Sequence, residues 1–126
     1  MREILFRGKT DNGEWEQGDL FNFFDYGTFI HDGRYHSVKV IPETIGQYTG
    51  LTDKNGKKIF EGDIVRIGFE DKIWETAREV VFEEGQWFFK DNTKTQKSYI
   101  GAWGNSVVEV IGNIHDNPEL LKELGK

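Results

Sequence analysis

Apolar and polar positions alternate in short bursts along this chain, and Gly, Asn or Asp breaks each burst, which is the pattern of strands and tight turns rather than of helices. Glu3 to Lys9 is expected to form the first strand. Thr10-Asp11-Asn12-Gly13 then turns the chain, because Asn and Gly accept the positive φ values that two-residue hairpin turns demand. Thr28 to His31 and Tyr35 to Ile41 flank Asp32-Gly33 as a second hairpin, and Val80 to Glu83 and Trp87 to Lys90 flank Glu84-Gly85 as a third. Val80-Val81-Phe82 and Trp87-Phe88-Phe89 are continuously apolar, so burial on both faces is expected there. The single predicted helix closes the chain: Asn117 as N-cap, Pro118 at the first helical position, Glu119 at the positive dipole end, Leu120, Leu121 and Leu124 as the apolar stripe, Gly125 as the stop.

Residues 49 to 65, TGLTDKNGKKIFEGDIV, concentrate turn chemistry ahead of one strand. Lys54-Asn55-Gly56-Lys57 suits a tight hairpin, and Glu61-Gly62-Asp63 supplies a second reversal in which Gly62 carries the positive φ. A short strand, Lys58 to Phe60, is thereby pinned between two turns, and Ile64 to Phe69 follows as a longer one. Gly56, Gly62 and Asp63 are the structural turn residues of this reading. With the hairpin around Gly85 and a strand from Val107 to Ile111, the segment resembles an SH3-like small barrel. A weaker copy, RGKTDNGEWEQGDL, occupies residues 7 to 20. It aligns Gly8, Thr10, Asp11, Asn12, Gly13, Gly18 and Asp19 with Gly50, Thr52, Asp53, Asn55, Gly56, Gly62 and Asp63, as a structural repeat or as convergent turn chemistry. The expected fold is mainly β: an N-terminal β-meander, residues 1 to 48, packed on an SH3-like barrel, residues 49 to 126, with a short C-terminal helix, as one cooperative unit.

Composition narrows the function. Aromatics make up 14% of the 126 residues and prolines number two, as a β-rich protein requires. With no cysteine there is neither a disulfide framework nor a thiolate metal site. Met1 is followed by Arg2-Glu3 rather than a leader and the apolar runs are short, so a soluble cytoplasmic protein without membrane contact is expected. A net charge of −6 opposes non-specific binding to phosphate backbones.

Candidates for chemistry each have a local explanation. His31, Asp32 and His36 straddle a hairpin and offer two imidazoles and a carboxylate, but strand alternation separates them and histidines beside turns are mostly solvated surface. His115-Asp116 lies at the helix entry. Asp19 and Asp63 would make an acid-base pair only if the two Gly-Asp corners met in space. Gly8, Gly13 and Gly18 lack the following helix of a phosphate loop, and no nucleophile motif surrounds Ser37, Ser98 or Ser106. No catalytic, metal or cofactor site is expected.

Binding surfaces are better represented. LFNFFDYGTFI gathers Phe21, Phe23, Phe24, Tyr26 and Phe29, and in an extended chain Phe21 and Phe23 face opposite to Phe24 and Tyr26. Two apolar faces suggest a sandwiched strand or a surface for a partner protein or a second copy of the chain, with Phe21, Phe23, Phe24 and Tyr26 as its residues. KDNTKTQKSYIGAWGNS mixes Lys90, Lys94 and Lys97 with Tyr99 and Trp103, as a single-strand nucleic-acid binder would, although an ordinary long surface loop is the preferred reading in an acidic chain.

REILFRGKT, NGEWEQGDL, VIPETIGQYTGLTDKNGKKIFEGDIV and the closing VEVIGNIHDNPELL, in this order, resemble the YopX family of phage and prophage proteins, with residues 68 to 103 as the variable part carrying lineage-specific loops. The resemblance implies a small β-rich phage or prophage product in the bacterial cytoplasm, brings no catalytic residues, and implies no established activity. The leading expectation is a non-enzymatic module binding an unknown host or phage protein, with self-association as an option. The alternatives are a nucleic-acid-binding module using the Lys90 to Trp103 loop and a cryptic hydrolase.

Overall fold

The computed structural model describes residues 4–33, 36–69, 72–90, 97–99 and 107–124. It contains two antiparallel sheets and one short helix, divided between two compact units, Met1–Gly50 and Leu51–Lys126.

In the first unit the strands are β1 (Phe6–Lys9), β2 (Trp15–Phe23), β3 (Gly27–His31), β4 (Ser37–Lys39) and β5 (Ile41–Thr52), whose last two residues belong to the second unit. The sheet they belong to has the order β4-β3-β2-β1-β5-β6, where β6 is the short strand Lys58–Phe60, and the pairs β1–β2, β1–β5, β2–β3 and β3–β4 are antiparallel. Its buried side is built from Ile30, Val40 and Tyr48, and Gly8 lies so close to the Val40 side chain that a Cβ there would meet it at 2.9 Å. The Arg7 guanidinium lies over the Trp15 ring, 4.7 Å from its centre. β5 has no counterpart in the expected elements beyond Ile41. Pro42, Gly46 and Gly50 hide it, because Gly and Pro usually mark breaks. Here Thr44 and Gly46 are instead small residues filling buried positions, and the Thr44 hydroxyl accepts the Lys9 N–H at 2.8 Å where the β1 to β5 register shifts.

In the second unit β6 (Lys58–Phe60), β7 (Asp63–Phe69), β8 (Lys72–Glu83), β9 (Gln86–Lys90), β10 (Lys97–Tyr99) and β11 (Val107–Asn113) precede α1 (Glu119–Leu124). Ile59, Val65, Ile67, Val80 and Phe89 form the core, with Trp87, Val108 and Val110 packed against it. The strand order β10-β9-β8-β7-β11 is open, with β10 and β11 at opposite edges, so the expected closed SH3-like barrel is not what the described strands make. A barrel needs the first and last strands to pair; the free edge of β11 is covered by a turn instead. Lys54 N–H donates to the Val108 carbonyl at 2.9 Å, and Asp53 accepts the Val110 N–H at 3.0 Å.

One further expectation is corrected. Val80 and Phe89 are buried, but Phe82 is 47% exposed with its ring edge-on to Trp87, so the apolar runs are not buried on both faces; the strand end runs past the core. Within residues 68 to 103, the part expected to vary, β8 starts at Lys72 and β10 sets Lys97–Tyr99 beside β9.

The pinned strand is present as drawn: β6 lies between the Asp53–Lys57 turn and a corner at Gly62, where φ is +91° and the buried Asp63 carboxylate accepts the Phe60 N–H at 2.8 Å. Gly56 also has positive φ, +81°. The copy at residues 7 to 20 matches only in part. Thr10 N–H bonds Glu14 O and Gly13 N–H bonds Thr10 O, as Asp53 N–H bonds Lys57 O and Gly56 N–H bonds Asp53 O. Thr10 therefore corresponds to Asp53, one residue away from the sequence alignment with Thr52. Gly18-Asp19 is not a corner at all; it lies inside β2, and a Cβ on Gly18 would sit 2.1 Å from the His31 carbonyl oxygen.

Candidate functional site

The aromatic segment does not run on as one strand. β2 ends at Phe23, a single turn of 3-10 helix covers Phe24–Tyr26, and β3 returns antiparallel. The pairing Phe21↔Phe29, Phe23↔Gly27 and Phe29↔Lys39 puts these positions on one face of the sheet, since directly opposed residues share a face. Leu20, Ile30 and Val38 are aligned on the other face, where Ile30 is buried.

The expected opposition of Tyr26 to Phe23 is thus corrected. The helical turn swings Tyr26 back to the side of Phe23, with ring centres 5.3 Å apart, while Phe21 and Phe29 stack at 5.5 Å with planes 13° apart. One face carries the aromatics and the other the aliphatic core. Phe21, Phe23, Tyr26, Phe29 and Ser37 line an open groove of about 370 Å³. Phe23 and Tyr26 touch each other yet remain 51% and 67% exposed, which for rings of this size is an uncovered apolar surface. The Phe24 ring lies outside the described residues. Phe29 and Ser37 are the groove residues that a strand-by-strand reading misses; the Phe21 to Phe29 pairing was available from the hairpin register, but Ser37 arrives only through β4. Gly27 leaves space for the Lys39 stem, which would touch a Cβ there at 2.7 Å, and this holds the ammonium over the start of β3.

The other candidates fall into local roles. His31 Nδ1 accepts the Gly33 N–H at 2.9 Å, and the Asp32 carboxylate accepts the His36 N–H at 3.3 Å with the His36 ring 4.0 Å away. Asn113, His115 and Asp116 close a turn before the helix through Asn113 Oδ1, which accepts the His115 and Asp116 N–H groups. Asp19 is exposed and opposite His31, while Asp63 is buried against its own corner. Among the described residues no group of three or more His, Asp or Glu side chains could hold a metal ion.

In the Lys90 to Trp103 stretch, Lys90 Nζ is 2.5 Å from Glu83 Oε2, so its charge is already matched. The backbones of Lys97 and Tyr99 pair with Lys90 and Phe88. Lys94 and Trp103 lie outside the described residues.

Asp53 carries the electrostatics of the second unit. Its Oδ1 accepts the Asn55 and Lys57 N–H groups at 2.8 and 2.9 Å, and Oδ2 accepts Val110 N–H. Burial pushes the carboxyl up, but the three N–H donors and the Lys57 ammonium outweigh it and hold Asp53 below the usual carboxylate range.

The YopX protein family matches residues 5–122. The SPbeta prophage-derived uncharacterized protein YopX of Bacillus subtilis (strain 168) is 37% identical over 71 residues, 53% of this chain and 52% of that relative, so the match spans about half the relative's length. The crystal structure of protein EF1440 from Enterococcus faecalis superposes with a TM-score of 0.59 at 26% identity, covering 96% of this chain and 99% of that one. The crystal structure of YopX from Bacillus subtilis has the same fold, with a TM-score of 0.58 at 22% identity over 96% and 97% of the two chains. The family match takes in every described strand and reaches into the helix: the chain belongs to the YopX protein family.

Proposed function

We propose that this YopX-family chain is a phage- or prophage-encoded accessory protein of the bacterial cytoplasm that works by binding another protein rather than by catalysis. The observation that carries this reading is the outward aromatic face of the first unit, where Phe21, Phe23 and Tyr26 stay exposed around an open groove. Solvated aromatic surface of this kind costs solubility and is the type of anchor that protein interfaces use. His31, Asp32 and Asp63 are engaged in turns, and Asp19 lies exposed in β2 away from Asp63's corner, which supports a non-catalytic role. The prophage origin of the Bacillus subtilis relative supports the phage assignment. Pairing of Lys90 with Glu83 weakens the cationic face that a nucleic-acid binder needs.

The test is a comparative capture from an induced lysogen with the parent and with the double variant Phe23→Ser plus Tyr26→Ser, followed by titration of labelled single-stranded DNA across a salt series. A protein held by the parent and released by the double variant is the expected result. Tight, salt-sensitive DNA binding that Lys94→Glu plus Lys97→Glu abolishes would replace this reading by the nucleic-acid one.

A further inference from the structure

Beside the groove lies a sheet edge that no described strand pairs, and the hydrogen-bond phase of β4 shows which atoms it offers. Asp32 N–H donates to the His36 carbonyl and Val40 N–H to the Thr28 carbonyl. In an antiparallel pair such bonds recur at every second residue. His36, Val38 and Val40 therefore turn their backbone groups toward β3, and Ser37 and Lys39 turn theirs outward. β4 is the last strand of the described sheet on this side. Ser37 and Lys39 are both exposed. Their side chains lie on the same face as Phe29, because His31↔Ser37 and Phe29↔Lys39 are opposed pairs.

We infer that β4 receives an extended peptide segment of a partner protein as an added antiparallel strand, with a large apolar side chain opposite Ser37 entering the aromatic groove and an acidic side chain opposite Lys39. This deepens the protein-binding reading and rests on it. Main-chain pairing supplies the attraction in such strand addition, and pockets for alternate side chains supply the selectivity. The two outward residues sit two apart, so both facing side chains of the incoming strand fall on the aromatic face. Ser37 itself lines the groove, so the residue opposite it is delivered there. The groove, at about 370 Å³, is large enough for one aromatic ring. Lys39 supplies the complementary charge for the acid. Antiparallel direction then fixes the order in the partner as acid, any residue, aromatic.

A second copy of this chain is the weaker fit to the same edge. Two-fold pairing of β4 with itself about its central residue, Val38, would set Ser37 against Lys39, and neither side chain fills an apolar groove. The exposed parts of Phe21, Phe23 and Tyr26 amount to about 300 Å², well short of the roughly 800 Å² per partner of a standard stable interface.

The probe is a capped, fluorescein-labelled heptapeptide, Thr-Val-Glu-Thr-Phe-Thr-Val, compared with the same peptide in which Glu and Phe are exchanged. Binding is followed by anisotropy and by amide hydrogen exchange of the full chain. The expected result is about tenfold tighter binding of the Glu-x-Phe order, with new protection at the Ser37 and Lys39 amides and none at Val38. Ser37→Pro removes one outward N–H and no bond to β3, so it should keep the parent's thermal midpoint and lose the peptide. Lys39→Glu should shift preference severalfold toward a peptide with Lys in place of Glu. Equal affinity for the two orders, undiminished binding by Ser37→Pro, or Ser37 and Lys39 amides already protected in a concentration-dependent dimer would each overturn the strand-addition proposal. If the Phe23→Ser plus Tyr26→Ser variant loses its natural partner while the peptide tests fail, protein binding stands and strand addition falls. If that variant retains the partner, the reading of the aromatic face falls as well.

Discussion

The turn at Thr10 to Glu14 and the turn at Asp53 to Lys57 share an Asn-Gly pair and the same two backbone hydrogen bonds, yet they do different work. Thr10 offers one hydroxyl, which accepts the Glu14 N–H at 3.3 Å inside its own turn. Asp53 offers two carboxylate oxygens; one serves the turn and the other reaches Val110, 57 positions along the chain. A single extra acceptor converts a local reversal into a clasp on the edge of β11. The Gly-Asp pairs diverge in the same way. Gly62-Asp63 is a left-handed corner with a buried carboxylate, whereas Gly18-Asp19 is extended strand with an exposed one. Identical dipeptides take their roles from what lies opposite them.

The largest effect should come from Asp53→Ala, which leaves three backbone N–H groups without their acceptor. A loss of about 3 kcal/mol in urea unfolding is expected, against about 1 kcal/mol for Thr10→Ala. Equal losses would mean that the bond to Val110 contributes nothing. Next, Asp63→Ala should cost about 2 kcal/mol because Phe60 N–H is buried with it, while Asp19→Ala should stay within about 0.5 kcal/mol.

Glycine substitutions sharpen the contrast at the two Gly-Asp pairs, because the two sites should fail for different reasons. Gly18→Ala drives a Cβ into the His31 carbonyl and should cost about 2 kcal/mol by forcing β3 away. Gly62→Ala should cost about 1 kcal/mol or more through its positive φ. Hydrogen exchange separates them: the first should expose β2 and β3 amides, the second only those around the corner.

The smallest expected effect is the acid dependence. Asp53 is held below its unfolded value, so the folded state binds its proton less readily. Its contribution is complete above the unfolded value near pH 4 and fades as pH falls through the folded one. The stability gap between parent and Asp53→Ala should therefore narrow when unfolding is measured from about pH 5 down to about pH 2. A gap that widens on acidification would reverse the assigned sign.

Sequence alone was sufficient wherever structure depends on a residue's own backbone preference. Asn-Gly and Glu-Gly mark hairpins and Gly62 marks a left-handed corner, and these follow from φ and from donors within a few residues; the closing helix was legible too, but it starts at Glu119, and the Asn117 Oδ1 expected to cap it accepts the Asn113 N–H at 3.3 Å instead. The β-rich class follows from many such local signals agreeing. Tertiary structure decided what depends on the opposing strand: that Gly18 is an extended contact rather than a turn, that the Pro42 to Gly50 segment is a strand despite its breakers, and that the second sheet stays open. It also decided that Tyr26 joins Phe23 on one face with Ser37 from β4 completing the groove, because register and pairing sum over residues far apart in the chain, and a one-residue shift exchanges every face.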